Sequence, residues 1–365
     1  YADIASLLGK AASIVIVDSS GNAVTIDGNT ESNRIALNTI VTRAVDPDDA
    51  GKVPITATLE GSHAALLGGS NTITTTAARL DDITLTIKTT NPSAAEVNAV
   101  KGLTNQSTIS LASGISIADS IGNLIDTDHT SKTTALTNAL TATVNAPIAL
   151  TDFTLANDNN IVALNSLSGH AEGAITSTIT DTSGTYLLAG DGSGTQLAMS
   201  TDDVITINLT TLTADATKIL EIEDLVQANG VSSITGTVTL TAAQANTVGS
   251  ITDTSNKIAL NFTLSDQSDI AKASALVGNT SGTVTMHSTG LSDTVGNYVN
   301  GSNNAISSGF SAIKGDDPDV NITITGFTTP ATSAEITSLN LAAAGTTGTV
   351  TASFSAPAAN LAPVT

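Results

Sequence analysis

The chain has 365 residues, of which 40% are hydrophobic but only 2% aromatic, and its formal net charge is −21. This acidity disfavours nucleic acid as a partner, because phosphate backbones repel a negative chain that has no basic cluster. It favours divalent cations, although the same charge also keeps chains soluble and apart. Only 12% of the residues are charged, but the apolar residues are regularly spaced, and we therefore expect a folded chain.

The chain contains no cysteine, which excludes disulfides, cysteine–zinc sites and thiol chemistry. This fits a cytosolic protein or a large extracellular one, and the weakly charged composition favours the extracellular setting. No apolar run approaches the roughly 18 residues that span a bilayer; the longest is Ser13–Val17. Because the sequence begins at Tyr1 without a leader-like segment, we expect a processed chain or part of a longer precursor.

Strands are predicted wherever threonine alternates with apolar residues, since a period of two is typical of a half-buried strand. Four of these strands follow an acidic pair, and two similar ones follow asparagine. In chain order they are Asp48–Leu59, Asp81–Thr90, Asn145–Leu155, Asp202–Thr213, Asn256–Asp266 and Asp316–Thr328.

A short helix is predicted after each strand, with capping residues at its start and glycine or asparagine at its end. The clearest helices lie in Asn91–Leu103, Thr213–Gly230, Ser265–Asn279 and Thr332–Gly345. A second strand follows, and then a turn in which aspartate precedes serine or threonine. Such side chains bond to nearby amides, which gives the turn a reason to recur. The turn aspartates are Asp18, Asp119, Asp181, Asp253 and Asp293.

One repeat therefore consists of strand, short helix, strand and Asp turn, and spans roughly 55–65 residues. About six such strand–short helix–strand repeats predict a mainly β fold with short helices and β-rich domains. A β-solenoid is the alternative, and the helices and the irregular period count against it. We expect an incomplete unit at 1–50, repeat units at 51–145 and 146–202, the best-formed pair at 203–315, and a C-terminal unit with an extended tail at 316–365.

The two ends of the chain differ in the phase of the repeat. The first unit begins without an opening strand, whereas the last ends in a strand and a proline-punctuated tail, Ala356–Thr365. A unit without its first strand exposes a sheet edge, which the tail of a neighbouring copy could fill. Strand exchange between copies is therefore one hypothesis, and a frayed terminus is the alternative.

Calcium is the strongest ligand candidate, because three carboxylates fall within four residues at two places. The candidate ligands are Asp46, Asp48 and Asp49, and Asp316, Asp317 and Asp319. Ca²⁺ takes six to eight oxygens, which such clusters could supply together with main-chain carbonyls. The alternative is that acidic pairs keep strand ends soluble and block misregistered pairing.

No catalytic constellation is found in the sequence. The four histidines, His63, His129, His170 and His287, lie far apart, and no nucleophile elbow is present. Spacing alone leaves carboxylate pairs for glycoside hydrolysis open, but sugar clefts usually offer aromatic platforms, and this chain has only three Tyr and five Phe. We therefore expect that the protein is not an enzyme.

The segments Thr235–Leu260 and Ser281–Val299 resemble the repeats of large bacterial surface proteins, in particular cyanobacterial surface and adhesin-like proteins. The resemblance extends over roughly two thirds of the chain. It implies an extracellular, non-enzymatic and often calcium-assisted role, and it identifies no binding residues. We expect a structural protein that forms a filament, sheath or surface layer from copies of itself. The alternatives are a monomeric adhesin module that binds a glycan or a cell surface and, from another class, a polysaccharide-active enzyme.

Overall fold

The structure is a computed structural model that describes residues 14–17, 20–43, 55–67, 82–88, 90–103, 109–151, 153–182, 186–187, 196–213, 218, 221, 225–228, 230–251 and 257–361. The chain divides into two compact units. Unit 1 comprises Tyr1–Asp152, Val162–Ser177 and Met199–Val204, and unit 2 comprises Phe153–Ile161, Thr178–Ala198 and Ile205–Thr365. The five predicted segments describe repeat boundaries and stay a prediction.

Unit 1 contains seven complete strands and five complete helices among its described residues. The strands are β1 (Ile14–Val15), β2 (Thr25–Asp27), β3 (Ile55–Gly61), β4 (Asp82–Ile87), β5 (Ile109–Leu111), β6 (Ile117–Asp119) and β7 (Ile148–Leu150). The helices are α1 (Glu31–Arg43), α2 (His63–Leu67), α3 (Ala94–Lys101), α4 (Ile121–Leu124) and α5 (Thr134–Ala142).

Three elements are divided between the two units, and the remaining described elements belong to unit 2. The divided elements are α6 (Asp158–His170), β9 (Ile175–Thr180) and β10 (Val204–Thr213). The strands of unit 2 are β8 (Phe153–Thr154), β11 (Val231–Leu240), β12 (Ile258–Leu264), β13 (Val284–Thr285), β14 (Leu291–Thr294), β15 (Ile322–Thr325) and β16 (Val350–Ala352). Its helices are α7 (Ala242–Val248), α8 (Ile270–Gly278), α9 (Val295–Tyr298), α10 (Ser308–Asp316) and α11 (Ser333–Ala344), followed by a 3₁₀ turn at Ala358–Asn360.

In both units the strands pair in parallel with their neighbours along the chain. In unit 1 the order is β1–β3–β4–β5 with β2 also on β3, and β6 pairs with β7, which pairs with the first part of β9. In unit 2 the second part of β9 pairs with β8, and β10, β11, β12 and β13 follow in order; β14, β15 and β16 form a three-stranded sheet.

Parallel neighbours require a crossover connection, and the helices supply it. Phe262 pairs with Val284, 22 residues later, and Leu291 with Ile322, 31 residues later. One predicted repeat, of roughly 55–65 residues, is therefore long enough for two such strand-to-strand connections.

The expectation of a mainly β fold is corrected by the structure, in which 35% of the chain is helix and 28% is strand. The protein has an α/β-type mix, and its described residues show no solenoid. The period-two pattern indicates which face of a strand is buried, but it does not indicate whether the neighbouring strand is parallel or antiparallel. Parallel pairing requires a crossover connection between strands, which is usually a helix, and so the helix content is higher than expected. No helix among the described residues is both long and apolar enough to cross a membrane.

One face of each sheet is apolar and the other is polar. Along β12, Ile258, Leu260, Phe262 and Leu264 are buried, whereas Asn261 between them is exposed. The helices pack against the strands and against one another, α3 beside α5 and α8 beside both α7 and α10. Parallel sheets are usually covered on both faces. In this protein the second face carries mainly threonine, serine and asparagine.

Candidate functional site at the strand edges

Two of the predicted calcium ligands, Asp316 and Asp317, lie beside strand β13. Asp316 Oδ2 accepts the Val284 N–H at 3.0 Å, and Asp317 Oδ2 accepts the Met286 N–H at 2.7 Å. In a parallel strand, alternate N–H groups point to the same side and would bond to the next strand. The two carboxylates therefore occupy the place of a missing strand and cap this edge.

The cap is a concentration of negative charge. Burial raises the pKa of the Asp317 carboxyl above its ordinary value of 3.8, the Met286 N–H opposes this, and the neighbouring Asp319 and Asp316 raise it further. Among the described residues, no group of three or more His, Asp or Glu side chains is arranged to hold a metal ion. Calcium at Asp316, Asp317 and Asp319 stays a prediction.

The other predicted calcium ligands, Asp46, Asp48 and Asp49, lie outside the described residues. Calcium at these three residues stays a prediction.

A second acidic pair, Asp202 and Asp203, also protects a strand start. Asp203 is buried, and its Oδ1 accepts the N–H of Ile175, the first residue of β9, at 2.8 Å. Its Oδ2 accepts the Ser168 hydroxyl at 2.6 Å and the Ser200 N–H at 2.9 Å. Asp203 thus accepts a main-chain N–H at a strand, as Asp316 and Asp317 do at β13. The alternative role predicted for acidic pairs, to keep strand ends soluble and block misregistered pairing, stays a prediction.

The predicted Asp turn has a long-range role that the sequence did not indicate. Asp119 Oδ1 accepts the Ser120 N–H and the Asn123 side-chain amide, at 2.9 and 2.7 Å. Its Oδ2 accepts, at 3.2 Å, the N–H of Ala94, the first residue of helix α3. The turn is therefore tied to the start of a helix 25 residues earlier.

The same three bonds recur in unit 2, at Asp293. The Thr294 N–H, the Asn297 side-chain amide and the N–H of Ile270, which begins α8, donate to this carboxylate at 2.7, 2.6 and 3.2 Å. Asp18 and Asp253, two further turn aspartates, lie outside the described residues. The shared motif Asp-Ser/Thr-x-Gly-Asn is the sequence signal by which the turn itself can be found.

Among the described residues, no carboxylate caps β1, β2 or β16 as Asp316 and Asp317 cap β13. Within residues 257–361, no strand pairs with the outer side of β16. At the other end, β1 and β2 form the outer edge of the sheet that contains β3. These are two edges of the described sheets at which a further strand could pair.

Exposed apolar side chains are concentrated in the elements near the same two edges. Seven large hydrophobic residues of the described chain are exposed, and five of them lie within residues 15–35 or 354–361. Val15, Val17 and Ile35 are 53%, 45% and 45% exposed; Phe354 and Leu361 are 37% and 53% exposed. Such concentrations are typical of interaction surfaces.

The last helix, α11, does not have the polar outer face that ends most repeat arrays. Its residues Ser338 and Ala342 are buried, while Ile336, Leu339 and Leu341 on its other sides are half-buried. An apolar helix surface of this kind is normally covered by a neighbouring element. The C-terminal end of unit 2 therefore has the character of an interior layer.

The described part of the predicted donor tail packs on its own chain. The Ala331 N–H donates to the Ser355 carbonyl at 2.7 Å. The Asn360 side-chain amide donates to the Ala331 carbonyl at 2.9 Å, and its Oδ1 accepts the Ser333 hydroxyl at 3.1 Å. Strand exchange through this tail stays a prediction.

Comparison with known protein families, with curated proteins and with solved structures found no match to this chain. The strand edges, the carboxylate caps and the composition are therefore the features that bear on function.

Proposed function

We propose that the protein is an extracellular structural subunit that self-assembles into a filament, sheath or surface layer. The supporting observation is the contrast between capped and uncapped strand edges. Asp316 and Asp317 close the edge at β13, whereas no strand among the described residues pairs with the outer side of β16, which is followed by the exposed Phe354. Natural proteins usually protect their edge strands, and an unprotected edge invites pairing with another chain.

The composition supports the extracellular setting of this proposal. The chain has no cysteine and few charged residues, and it resembles the repeats of bacterial surface proteins. The net charge of −21 opposes contact between copies. A divalent cation would reduce this repulsion, and Asp316, Asp317 and Asp319 are the candidate ligands among the described residues.

The proposal is tested by negative-stain electron microscopy of the purified protein with calcium, and again after addition of a chelator. Filaments or sheets with calcium are the expected result. Assemblies that dissociate on chelation would support calcium at the joints, and assemblies that persist would support self-assembly without it. Dispersed single particles under both conditions would contradict the proposal.

A monomeric adhesin module is the second candidate, and the open sheet face favours it. Thr239, Thr263 and Thr285 lie in register on three neighbouring strands and are exposed or half-buried. Rows of hydroxyl groups could hydrogen-bond a glycan. A single species on a native gel, together with retention of the protein on a glycan array that is lost in Thr263→Val, is the outcome that would favour the adhesin.

A further inference from the structure

We infer that assembly is head to tail, with the β16 edge of one copy pairing in parallel with the β1–β2 edge of the next copy. This inference rests on the self-assembly proposed above. It adds the interface, the direction and the register.

The direction follows from the parallel sheets. In the first and the last sheet of the described chain all strand pairs are parallel, and the outer edges belong to different strands. If two identical edges met through a two-fold axis perpendicular to the sheet, their strands would run antiparallel. A parallel junction that continues the existing pattern therefore joins a last edge to a first edge. Such a heterologous contact leaves one free edge at each end, so that further copies can be added.

The register follows from the apolar rows. Ile322 pairs with Val350 and Ile324 with Ala352 at one edge. At the other edge, Ile14 pairs with Ile55.

Farther along the same edge, Ile26 pairs with Leu59, and the Ile16 N–H donates to the Thr56 carbonyl. If Val350 lies opposite Ile14 of the next copy, Ala352 lies opposite Ile16. The following apolar residue, Phe354, then lies opposite Ile26.

This register places apolar residues together in all three rows. A slip by one residue would place Thr351 opposite Ile14 and reverse every inward-facing side chain. The correct register also gives Phe354 a neighbour in the next copy. Its ring already lies 5.0 Å from that of Phe327, and it remains 37% exposed in the single chain.

Cysteine cross-linking between copies tests the interface directly, because the chain has no cysteine of its own. In the inferred register Val15 lies opposite Thr351, and both side chains are exposed. Neighbouring strands are about 4.8 Å apart, which lies within the range of about 4.4–6.8 Å between the Cα atoms of a disulfide. Val15→Cys and Thr351→Cys are prepared separately, mixed as dissociated subunits and allowed to assemble under mild oxidation.

The expected result is a disulfide-linked dimer on a non-reducing gel from the mixture, and none from either variant alone. Thr239→Cys, an exposed threonine on an interior strand, is the matched control and should not cross-link with Val15→Cys. Assembly without the mixed cross-link, or a dimer from Thr351→Cys alone, would overturn the head-to-tail interface and leave self-assembly intact. A wild-type protein that sediments as a monomer would overturn both.

Hydrogen–deuterium exchange on the unmodified protein covers the case in which a cysteine variant does not fold. The amides of Val350 and Ala352 should exchange more slowly in the assembled protein than in dissociated subunits. Unchanged exchange at β16 in a protein that does assemble would also exclude this edge as the interface.

Discussion

Asp317 is a half-buried carboxylate whose charge and hydrogen bond have opposite effects on stability. Its oxygen accepts the Met286 N–H, but burial and the neighbouring acidic groups raise its pKa. A raised folded-state pKa means that the stabilising contribution is present below the ordinary value of 3.8 and is lost as the pH rises through the folded-state value.

We therefore expect Asp317→Asn to melt at a higher temperature than the wild type at pH 7, because the amide oxygen keeps the hydrogen bond without the charge. The gain should disappear near pH 3, as measured by circular dichroism. Asp317→Leu removes the acceptor and should lose about 1–3 kcal/mol. An Asn variant that is less stable at pH 7 would indicate that a cation or another positive group already stabilises the charge.

Glu335, at the start of α11, has a lowered pKa, whereas that of Asp317 is raised. The N–H of Thr332 and the hydroxyl and N–H of Thr328 lower the pKa of this carboxylate from 4.5 to about 2. Its stabilising contribution is therefore present above pH 4.5 and is lost as the pH falls towards 2.

Glu335→Gln should accordingly melt below the wild type at pH 7, and the difference should close between pH 4.5 and about 2. A thermal titration across this range measures the effect. A difference that stays constant with pH would mean that the shape of the capping box matters and its charge does not.

Among single residues, the sequence indicated local bonds but not distant ones. Capping residues were predicted at the start of the helix in Asn91–Leu103, and Ser93 there forms a capping box with Glu96. Aspartate turns were also predicted, and Asp119 and Asp293 form them. The bonds from Asp316 to Val284 and from Asp293 to Ile270 join residues 32 and 23 positions apart. No local pattern can indicate such pairs before the topology is known.

At the scale of elements, the helices with clear end signals were predicted closely. Segment Asn91–Leu103 contains α3, segment Ser265–Asn279 contains α8, and segment Thr332–Gly345 contains α11. Helix α10 was not predicted, because its sequence Ser308–Asp316 contains two glycines and little helical preference. It forms because Ser307 caps its first turn and because Phe310 and Ile313 are buried.

Strand β14 depends on a glycine immediately before it. Gly290 has φ +67°, and a Cβ at this position would overlap the Asn321 carbonyl, which accepts the Leu291 N–H at 2.9 Å. Gly290→Ala should therefore weaken the pairing of β14 with β15 and cost more than about 2 kcal/mol, from left-handed strain and displacement of a strand. Urea unfolding measures this loss.

Gly296→Ala is the matched control, because no atom lies within 4 Å of the added methyl group. It should be neutral or stabilising by up to about 1 kcal/mol. Equal effects of the two substitutions would contradict the role assigned to Gly290.

At the scale of the whole molecule, charge should control association. The net charge is −21, and raising the ionic strength from 0.01 to 0.15 M shortens the Debye length from about 30 to about 8 Å. Sedimentation velocity should therefore detect larger assemblies at the higher concentration of NaCl. Calcium and magnesium chloride at matched ionic strength separate screening from binding: equal effects would exclude a calcium-specific joint.

The whole-molecule features were the least predictable from the sequence. Alternation along Asp202–Thr213 and Asn256–Asp266 indicated strands and their buried faces, and β10 and β12 confirm them. The parallel direction, and with it the larger share of helix, could not be predicted, because alternation is the same for both directions. The division into two units follows from long-range packing and has no marker at Asp152 or Val204.

Parallel pairing in chain order also determines how the last sheet responds to tension. A pull across the sheet that acts at one end of β16 separates its hydrogen bonds to β15 one after another instead of loading them together. Release of β16 frees the 24 residues between Thr325 and Val350, a length on the order of 80 Å when extended. Under load, this part of the protein therefore lengthens strand by strand and behaves as an extensible element.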